Sequence, residues 1–207
     1  VVVIKIVDES VPVFDQQLYT TIVSEDVELF TPLLAVQADS PAAETDDQNG
    51  RPNKLIFSIE AGNENDLFHI DPDTGMMSNV AHLDYESKRH HQLRVRATDS
   101  INGGYSETIV LFEVQDVNDC QPVFEKSLYK VNISEAAAAG SPLVKVSSTD
   151  ADGPGDNSRV EYSLIRSGND SKDLSLFNID AQTGEITLRT YLDRERRSQH
   201  SLKVLAI

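Results

Sequence analysis

The sequence predicts an all-β chain built from two consecutive antiparallel β-sandwiches. Three observations support this fold class: the chain has 207 residues, its sequence repeats once at an offset near 110, and its apolar residues alternate with polar ones in short runs separated by turn signals. A chain of this length suits two domains of about 100 residues each. We therefore expect two homologous sandwiches joined end to end.

The internal repeat establishes the domain organisation. Four segments of the first half return in the second half, in the same order and at offsets of 109 or 110 residues. Such constant spacing is typical of a tandem duplication. The matched pairs are PVFDQQLYTTIVSED (12–26) with PVFEKSLYKVNISEA (122–136), LFHIDPDTG (67–75) with LFNIDAQTG (176–184), LDYE (83–86) with LDRE (192–195), and HQLRVRATD (91–99) with HSLKVLAI (200–207).

Within each repeat the side chains follow the pattern of β-strands. In QLRVRA (92–97) apolar and polar residues alternate, which places one face of the strand in a core and the other in water. SLKVLA (201–206) and TIVLFEV (108–114) alternate in the same way. IDPDTG and IDAQTG are hairpin signals, because Gly75 and Gly184 can adopt the positive φ that a tight turn requires.

The chain is strongly acidic, with 34 Asp and Glu residues against 18 Lys and Arg and a net charge of −16. This balance argues against a nucleic-acid partner, because a phosphate-binding surface needs an excess of basic residues. No apolar run approaches the ~18 residues of a membrane span, so we expect no direct membrane contact from this chain. The single cysteine, Cys120, excludes an internal disulfide framework and a cysteine-based zinc site.

The acidic residues cluster at the predicted strand ends. Residues i and i+2 of a strand face the same way, so LDYE and the DAD of DADGPGDN (150–157) each supply a pair of carboxylates. Two carboxylates in close contact repel by roughly 1 kcal/mol in water and by about 4 kcal/mol at an effective dielectric constant near 20. A cluster of seven therefore needs cations, and calcium accepts such irregular oxygen ligands. The seven are Glu25, Asp84, Glu86, Asp116, Asp119, Asp150 and Asp152.

These motifs together resemble the calcium-binding signature of cadherin extracellular repeats. A Glu ends the first strand in SED and SEA, LDYE recurs as LDRE, and DVNDCQPVF (116–124), DADGPGDN and RATD complete the pattern. The resemblance covers essentially the whole chain. It implies an immunoglobulin-like sandwich of seven strands with Greek-key connections for each repeat, and about three calcium ions at the junction between the two repeats.

The resemblance also implies a role for each residue of this junction. The ions nearer the first repeat would be bound by carboxylates and by one main-chain carbonyl, and the third ion by residues nearer the second repeat. The first set is Glu25, Asp84, Glu86, Asp116 and Asp119 with the carbonyl of Val117; the second is Asn118, Asp150 and Asp152 with main-chain oxygens of Cys120 and Asn157.

The same comparison predicts the domain boundaries. Residues 1–11 match the end of a preceding repeat and a degenerate linker, residues 12–119 form one repeat, and residues 120–207 form a second repeat that stops before its last strand. Glu135, Asp193 and Glu195 would then be half of the next junction, without their partner repeat.

The upstream junction departs from the family pattern. In IVDES (6–10) Ile6 stands where DVNDC has its leading Asp, and in the partner loop Asp39 is kept but Pro41 replaces the second Asp. Proline offers no side-chain ligand. We therefore expect few or no calcium ions at this junction.

Other interpretations of these motifs are weaker. DADGPGDNSRVE fits an EF-hand loop at several positions, but its flanks have the pattern of strands rather than helices. Asp84 and Glu86 could be a glycosidase acid/base pair, yet they belong to a larger set that recurs in the second repeat. Adjacent His90 and His91 face opposite sides of a strand, which favours surface histidines over a metal site. Cys120 is expected to act through its carbonyl rather than its thiol.

The sequence therefore predicts a non-enzymatic function, part of the extracellular region of a calcium-dependent cell–cell adhesion receptor. Two sequons, at Asn132 and Asn169, are consistent with a glycosylated surface. The resemblance implies a single-pass plasma-membrane protein whose partners are other cadherin ectodomains, bound homophilically or heterophilically. Two alternatives stay open: a structural spacer without adhesive contacts, and a ligand-binding signalling receptor of the Fat or protocadherin type.

Overall fold

A computed structural model describes residues 11–40, 54–166 and 173–207. They fall into two compact units, unit 1 up to Val117 and unit 2 over Asn118–Ile207. The only helical elements among the described residues are two 3₁₀ turns, Glu64–Asp66 and Asp173–Ser175. The predicted all-β class is confirmed.

The described residues of unit 1 form nine strand segments in three sheets. A four-stranded sheet has the order β2-β9-β8-β5, a three-stranded sheet has the order β3-β7-β6, and β1 pairs with β4. Counting β1 with β2 and β3 with β4 as two interrupted strands gives the seven of the predicted sandwich. The segments are β1 Val13–Phe14, β2 Leu18–Ser24, β3 Pro32–Ala35, β4 Ala38–Asp39, β5 Leu55–Ala61, β6 Phe68–Ile70, β7 Met76–Asn79, β8 His90–Asp99 and β9 Tyr105–Gln115.

The core of unit 1 lies between its two larger sheets. Leu93 and Val95 of β8 and Phe112 of β9 face Phe68 of β6 and Met77 of β7, and all five are buried. The rings of Phe68 and Phe112 stack with centroids 4.5 Å apart. The alternation predicted in 92–97 and 108–114 therefore corresponds to buried and outward-facing side chains.

The repeated hairpin requires glycine in both units. Gly75 and Gly184 have φ of 68° and 70°. A Cβ at Gly75 would lie 2.5 Å from the carbonyl oxygen of Val36, and one at Gly184 would lie 2.4 Å from that of Val146. Any other residue would clash with backbone as well as strain its own φ.

The described residues of unit 2 repeat this architecture with seven strand segments. Its sheets have the orders β11-β15-β14, β13-β16 and β10-β12. Residues 128–134, the counterpart of β2, are not a strand. The segments are β10 Val123–Phe124, β11 Pro142–Lys145, β12 Ser148–Thr149, β13 Tyr162–Ile165, β14 Phe177–Ile179, β15 Glu185–Leu188 and β16 Lys203–Ala206.

The expectation of surface histidines is wrong for His91. His90 is exposed, but His91 is only 3% exposed and packs edge-on against Phe68 with ring centroids 5.3 Å apart. Burial lowers the pKa of His91, which favours the neutral ring. His200 packs in the same way against Phe177 of unit 2, at 5.5 Å, so this contact belongs to the repeated core.

Candidate metal centre

Glu25 is the most constrained of the predicted ligands. It follows β2 directly, is 5% exposed, and its N–H donates to the carbonyl of Gln115 at 3.1 Å. Its carboxylate accepts hydrogen bonds from the backbone N–H of Tyr85 at 2.8 Å and of Val117 at 2.7 Å. Glu25 therefore connects three segments that are distant in sequence and holds the start of the 116–120 segment against unit 1.

Two further carboxylates lie beside Glu25. Oxygen atoms of Glu25, Glu86 and Asp116 all lie within 4.8 Å of one another. At such separations each pair of charges repels by about 3–4 kcal/mol if the effective dielectric constant is near 20. A divalent cation would remove this repulsion and would find the hard oxygen ligands that calcium prefers.

Asp84 and Glu86 do not form the strand pair that was expected. Residues 85–87 form a turn, and the Lys88 N–H donates to the Asp84 carbonyl at 2.9 Å. The Asp84 carboxylate accepts from the Ser87 hydroxyl at 2.7 Å and from the Ser87 N–H at 2.9 Å. These hydrogen bonds lower the pKa of Asp84, which is anionic at neutral pH.

The predicted ligands of unit 2 form a second group. Asp152 is 6% exposed, and its Oδ1 accepts from the Cys120 N–H at 3.1 Å. Its other oxygen, Oδ2, is buried and has no hydrogen-bond partner among the described residues. The Asn118 side-chain amide donates to the carbonyl of Asn157 at 3.1 Å. A buried carboxylate oxygen without a donor is costly, and a cation is the partner that fits it.

Asp150 and Asp152 are also not a strand pair. The Asp152 N–H donates to Oδ1 of Asp150 at 3.1 Å, so the Asp150 side chain closes a local turn. Asp119 is exposed and Val117 is half-buried. Each unit therefore contains part of the predicted ligand set. Glu25, Glu86 and Asp116 lie close together in unit 1, and Asp152 is held by Cys120 in unit 2.

The residues expected at the next junction are more exposed than Glu25 and Asp152. Glu135, Asp193 and Glu195 are all exposed. Glu135 accepts from the Arg194 N–H at 3.2 Å, and Asp193 accepts from the Arg196 N–H at 3.1 Å. No group of three close metal-binding side chains includes them among the described residues.

Several predictions fall wholly or partly outside the described residues. Asn132 is exposed, whereas Asn169 is not described. Of the upstream junction, residues 6–10 and Pro41 are likewise not described, and Asp39 is exposed. The expectation about calcium at that junction stays a prediction.

The aspartate of RATD, Asp99, is buried in unit 1. It is 1% exposed and accepts from the Ser40 hydroxyl at 2.9 Å, the Ile101 N–H at 2.9 Å and the Asn102 N–H at 3.1 Å. In unit 1 its carboxylate therefore closes the turn that follows β8.

Sequence reasoning missed the backbone donors that hold the carboxylates. The N–H groups of Tyr85, Val117 and Cys120 fix Glu25 and Asp152. Side-chain patterns carry no signal for such contacts, because any residue except proline supplies the donor.

Comparison with known proteins decides the family. The profile of the Cadherin domain matches residues 19–115 and 129–207, which together are most of the chain. The chain belongs to the cadherin family. Membership supports an adhesion or receptor ectodomain, and cadherin domains are calcium binders and non-enzymatic modules as a class.

The similar proteins are long cadherins. The chain is 37% identical over 202 residues to the Fat-like cadherin-related tumor suppressor homolog of Drosophila melanogaster, and 34% identical over 207 residues to human Protocadherin Fat 1. These alignments cover 97% and 100% of the chain but only 4% of each relative.

Among solved structures, mouse cadherin-23 EC22-24 aligns with a TM-score of 0.77 and 31% identity, covering 94% of this chain and 58% of that one. Drosophila N-cadherin EC1-4 aligns with a TM-score of 0.72 at 23% identity and supports the fold alone. No helix among the described residues is long and apolar enough to cross a membrane.

Proposed function

We propose that this chain is part of the ectodomain of a calcium-dependent adhesion receptor, and that calcium bound around residues 116–120 stiffens the connection between its two cadherin repeats. The observation that carries the proposal is the close group of Glu25, Glu86 and Asp116. These three carboxylates repel one another at this separation, and a divalent cation bound between them would offset the repulsion.

Backbone N–H groups hold the carboxylates of Glu25 and Asp152 in place before any ion binds. Because Tyr85 and Val117 donate to Glu25, its carboxylate is fixed without any ion, and its remaining lone pairs are available for a metal. The Cys120 N–H similarly fixes Asp152, whose second oxygen is buried and without a described partner. Calcium would thus bind to ligands already in place, at a small entropic cost.

About three ions are proposed, as the family pattern implies. Glu25, Asp84, Glu86, Asp116 and Asp119 with the Val117 carbonyl would hold the ions nearer unit 1. Asn118, Asp150, Asp152 and the carbonyls of Cys120 and Asn157 would hold the third. Extracellular calcium modules bind at roughly 10⁻⁴–10⁻³ M, so occupancy would follow the calcium concentration outside cells.

We further propose an extracellular location in a single-pass plasma-membrane protein whose partners are other cadherin ectodomains. The similarity to Fat-type proteins keeps two alternatives open, a spacer without its own adhesive contact and a ligand-binding signalling receptor. The alternatives share the calcium sites and differ in what the outer surfaces bind.

Small-angle X-ray scattering with calcium and with chelator tests the stiffening. We expect a larger maximum dimension and a less flexible profile with calcium. Asp152→Asn should reduce this difference, and the matched substitution Glu195→Gln, at an exposed position of unit 2, should leave it unchanged. Identical profiles in calcium and chelator would refute the proposal.

A further inference from the structure

The edge strand β2 of unit 1 has only one paired side. It lies at one end of the sheet order β2-β9-β8-β5 and pairs in parallel with β9 over its full length, Leu18 to Ser24. Among the described residues no strand covers its other side. A row of backbone groups is therefore exposed in a form that an extended chain can bind.

The hydrogen bonds to β9 identify which groups these are. The Gln17 carbonyl and the Glu25 N–H bond to β9, at 3.5 and 3.1 Å. Backbone groups alternate between the two sides along a strand, so odd-numbered residues of β2 face β9. The N–H and C=O groups of Leu18, Thr20 and Ile22 consequently point to the open edge.

This edge has none of the usual protection against pairing. Natural edge strands carry Lys, Pro or a bulge, but β2 reads LYTTIVS, and Leu18 and Ile22 on its outward face are 52% and 66% exposed. The opposite edge strand, β5, does have protection: it contains Glu60 and an irregularity between Ile59 and Ala61.

The second repeat carries protection at the matching positions. Its counterpart of β2 reads LYKVNIS (128–134), in which Lys130 replaces Thr20 and Asn132 replaces Ile22. Asn132 is exposed and begins a sequon. One copy of the duplicated segment thus presents a charge and a glycan acceptor where the other presents an uncharged, partly apolar edge.

We propose that β2 of one chain pairs antiparallel with β2 of a second copy of this chain, so that the two four-stranded sheets form one continuous sheet. Pairing all seven residues places the two-fold axis at Thr21. Thr20 then lies opposite Ile22 of the second copy, and Leu18 opposite Ser24 of the second copy. The open-edge groups of these residues bond to each other, whereas Thr21 forms a pair without hydrogen bonds, in which side chains are closest.

The neighbouring side chains favour this arrangement. Ile109 and Leu111 on β9 are half-buried and lie beside Leu18 and Thr20 in the register. Pairing two copies places Leu111 and Thr20 of one copy in a row with Ile22 of the other, and exposed Glu113, the β9 neighbour of Ile22, lies at the outer end of that row. Cross-strand pairs of this kind each contribute roughly 0.2–1 kcal/mol relative to alanine pairs.

The charges at the strand ends are also compatible with a second copy. With the axis at Thr21, exposed Asp26 lies opposite the exposed amide Gln16 of the second copy, and no acid lies directly opposite another acid within the paired strands. Each chain carries a net charge of −16, so the copies repel at long range. Salt screens this repulsion over about 8 Å at 0.15 M, and association should therefore strengthen as salt is added.

The proposal goes beyond the calcium-dependent function, since none of the pairing groups is a predicted calcium ligand. Its test is sedimentation of the 207-residue chain at concentrations up to about 100 µM, which detects dissociation constants tighter than roughly 10⁻⁴ M. We expect a dimer in calcium and in chelator. A monomer in both conditions would overturn the proposal, whatever the result of a calcium titration.

Substitutions that copy the second repeat should break the pairing. Thr20→Lys introduces the charge of Lys130, and Ile22→Asn creates the sequon Asn-Val-Ser in a glycosylating host. We expect each to weaken dimerisation at least about tenfold, because each change enters the interface twice. Gln92→Lys, an exposed position on the central strand β8, is the matched control and should have no effect. Equal weakening by all three would show that the loss does not depend on the β2 edge and would overturn the proposal.

A cross-link tests the register without relying on a loss of association. In a Cys120→Ser background, Thr21→Cys should form a disulfide-linked dimer under mild oxidation, because only Thr21 faces its own copy. Thr20→Cys should not, because the Cα atoms of position 20 in the two copies would lie farther apart than the ~7 Å that a disulfide spans. Preferential cross-linking of Thr20→Cys would refute this register.

Salt dependence tests the identity of the occupant. If salt weakens association and a basic extended peptide competes for β2, the occupant is a basic partner and the second copy is wrong.

Discussion

Glu25 and Glu135 occupy the same position in the two repeats and have different surroundings. Glu25 is buried and accepts hydrogen bonds from two backbone N–H groups, whereas Glu135 is exposed and accepts one. The second donor to Glu25 is the N–H of Val117, which belongs to the segment that follows β9. In unit 1 the order of Glu25 therefore depends on contacts outside its local motif, through Tyr85 and Val117.

The largest expected effect on stability comes from substituting Glu25, the buried member of this pair. Glu25→Ala removes the acceptor of two backbone donors, and unsatisfied buried donors cost about 1–3 kcal/mol each. We expect the free energy of unfolding in saturating calcium, where the ion offsets the repulsion between the carboxylates, to fall by about 3 kcal/mol or more. Thermal unfolding followed by circular dichroism measures this change.

Glu135→Ala is the matched control for that substitution. An exposed side chain with a single hydrogen bond should contribute within about 0.5 kcal/mol. Equal losses for the two variants would show that the burial of Glu25 does not depend on the segment after β9.

A second prediction concerns a feature that the repeats share. Gly75→Ala and Gly184→Ala should each destabilise their own unit by about 2 kcal/mol, because both combine positive φ with a Cβ close to a carbonyl oxygen. Gly103→Ala, also at positive φ but with open space around its Cβ, should cost about 1 kcal/mol. Urea unfolding of the three variants compares them, and a full-sized loss for Gly103→Ala would mean that φ strain alone sets the cost.

The smallest expected effect concerns the turn after β2. Phe30 adopts φ of 64° and is 69% exposed, and its counterpart in the second repeat is Gly140, with φ of 89°. Phe30→Gly relieves about 1 kcal/mol of strain and adds a smaller entropic cost in the unfolded chain. We expect a gain of about 0.5 kcal/mol in unfolding free energy. A loss of stability would indicate that Phe30 makes a contact that stabilises unit 1.

The strands could be predicted from the sequence because their signal is local alternation. Leu93, Val95 and Ala97 are fully buried as the pattern required, and the parity that buries them also buries His91. The signal for His91 was therefore present and was outweighed by the polarity of the residue. The repeat supports the same conclusion, since His200 occupies the equivalent place.

The details of the candidate site could not be predicted in the same way. The family pattern named Asp84 and Asp150, but strand geometry gave them the wrong local structure. Their carboxylates cap turns, through Ser87 and Asp152, in competition with the strand ladder. Contacts such as Val117 with Glu25 join residues 92 positions apart through a backbone group, which leaves no trace in the side-chain sequence.

Calcium titration of the chain by isothermal calorimetry tests the central claim most directly. We expect binding in the range of roughly 10⁻⁴–10⁻³ M. Glu25→Gln should weaken it at least about tenfold, a loss of about 1.4 kcal/mol, and Glu135→Gln should leave it unchanged. Absence of binding by the unsubstituted chain, or equal weakening by the two substitutions, would contradict the account.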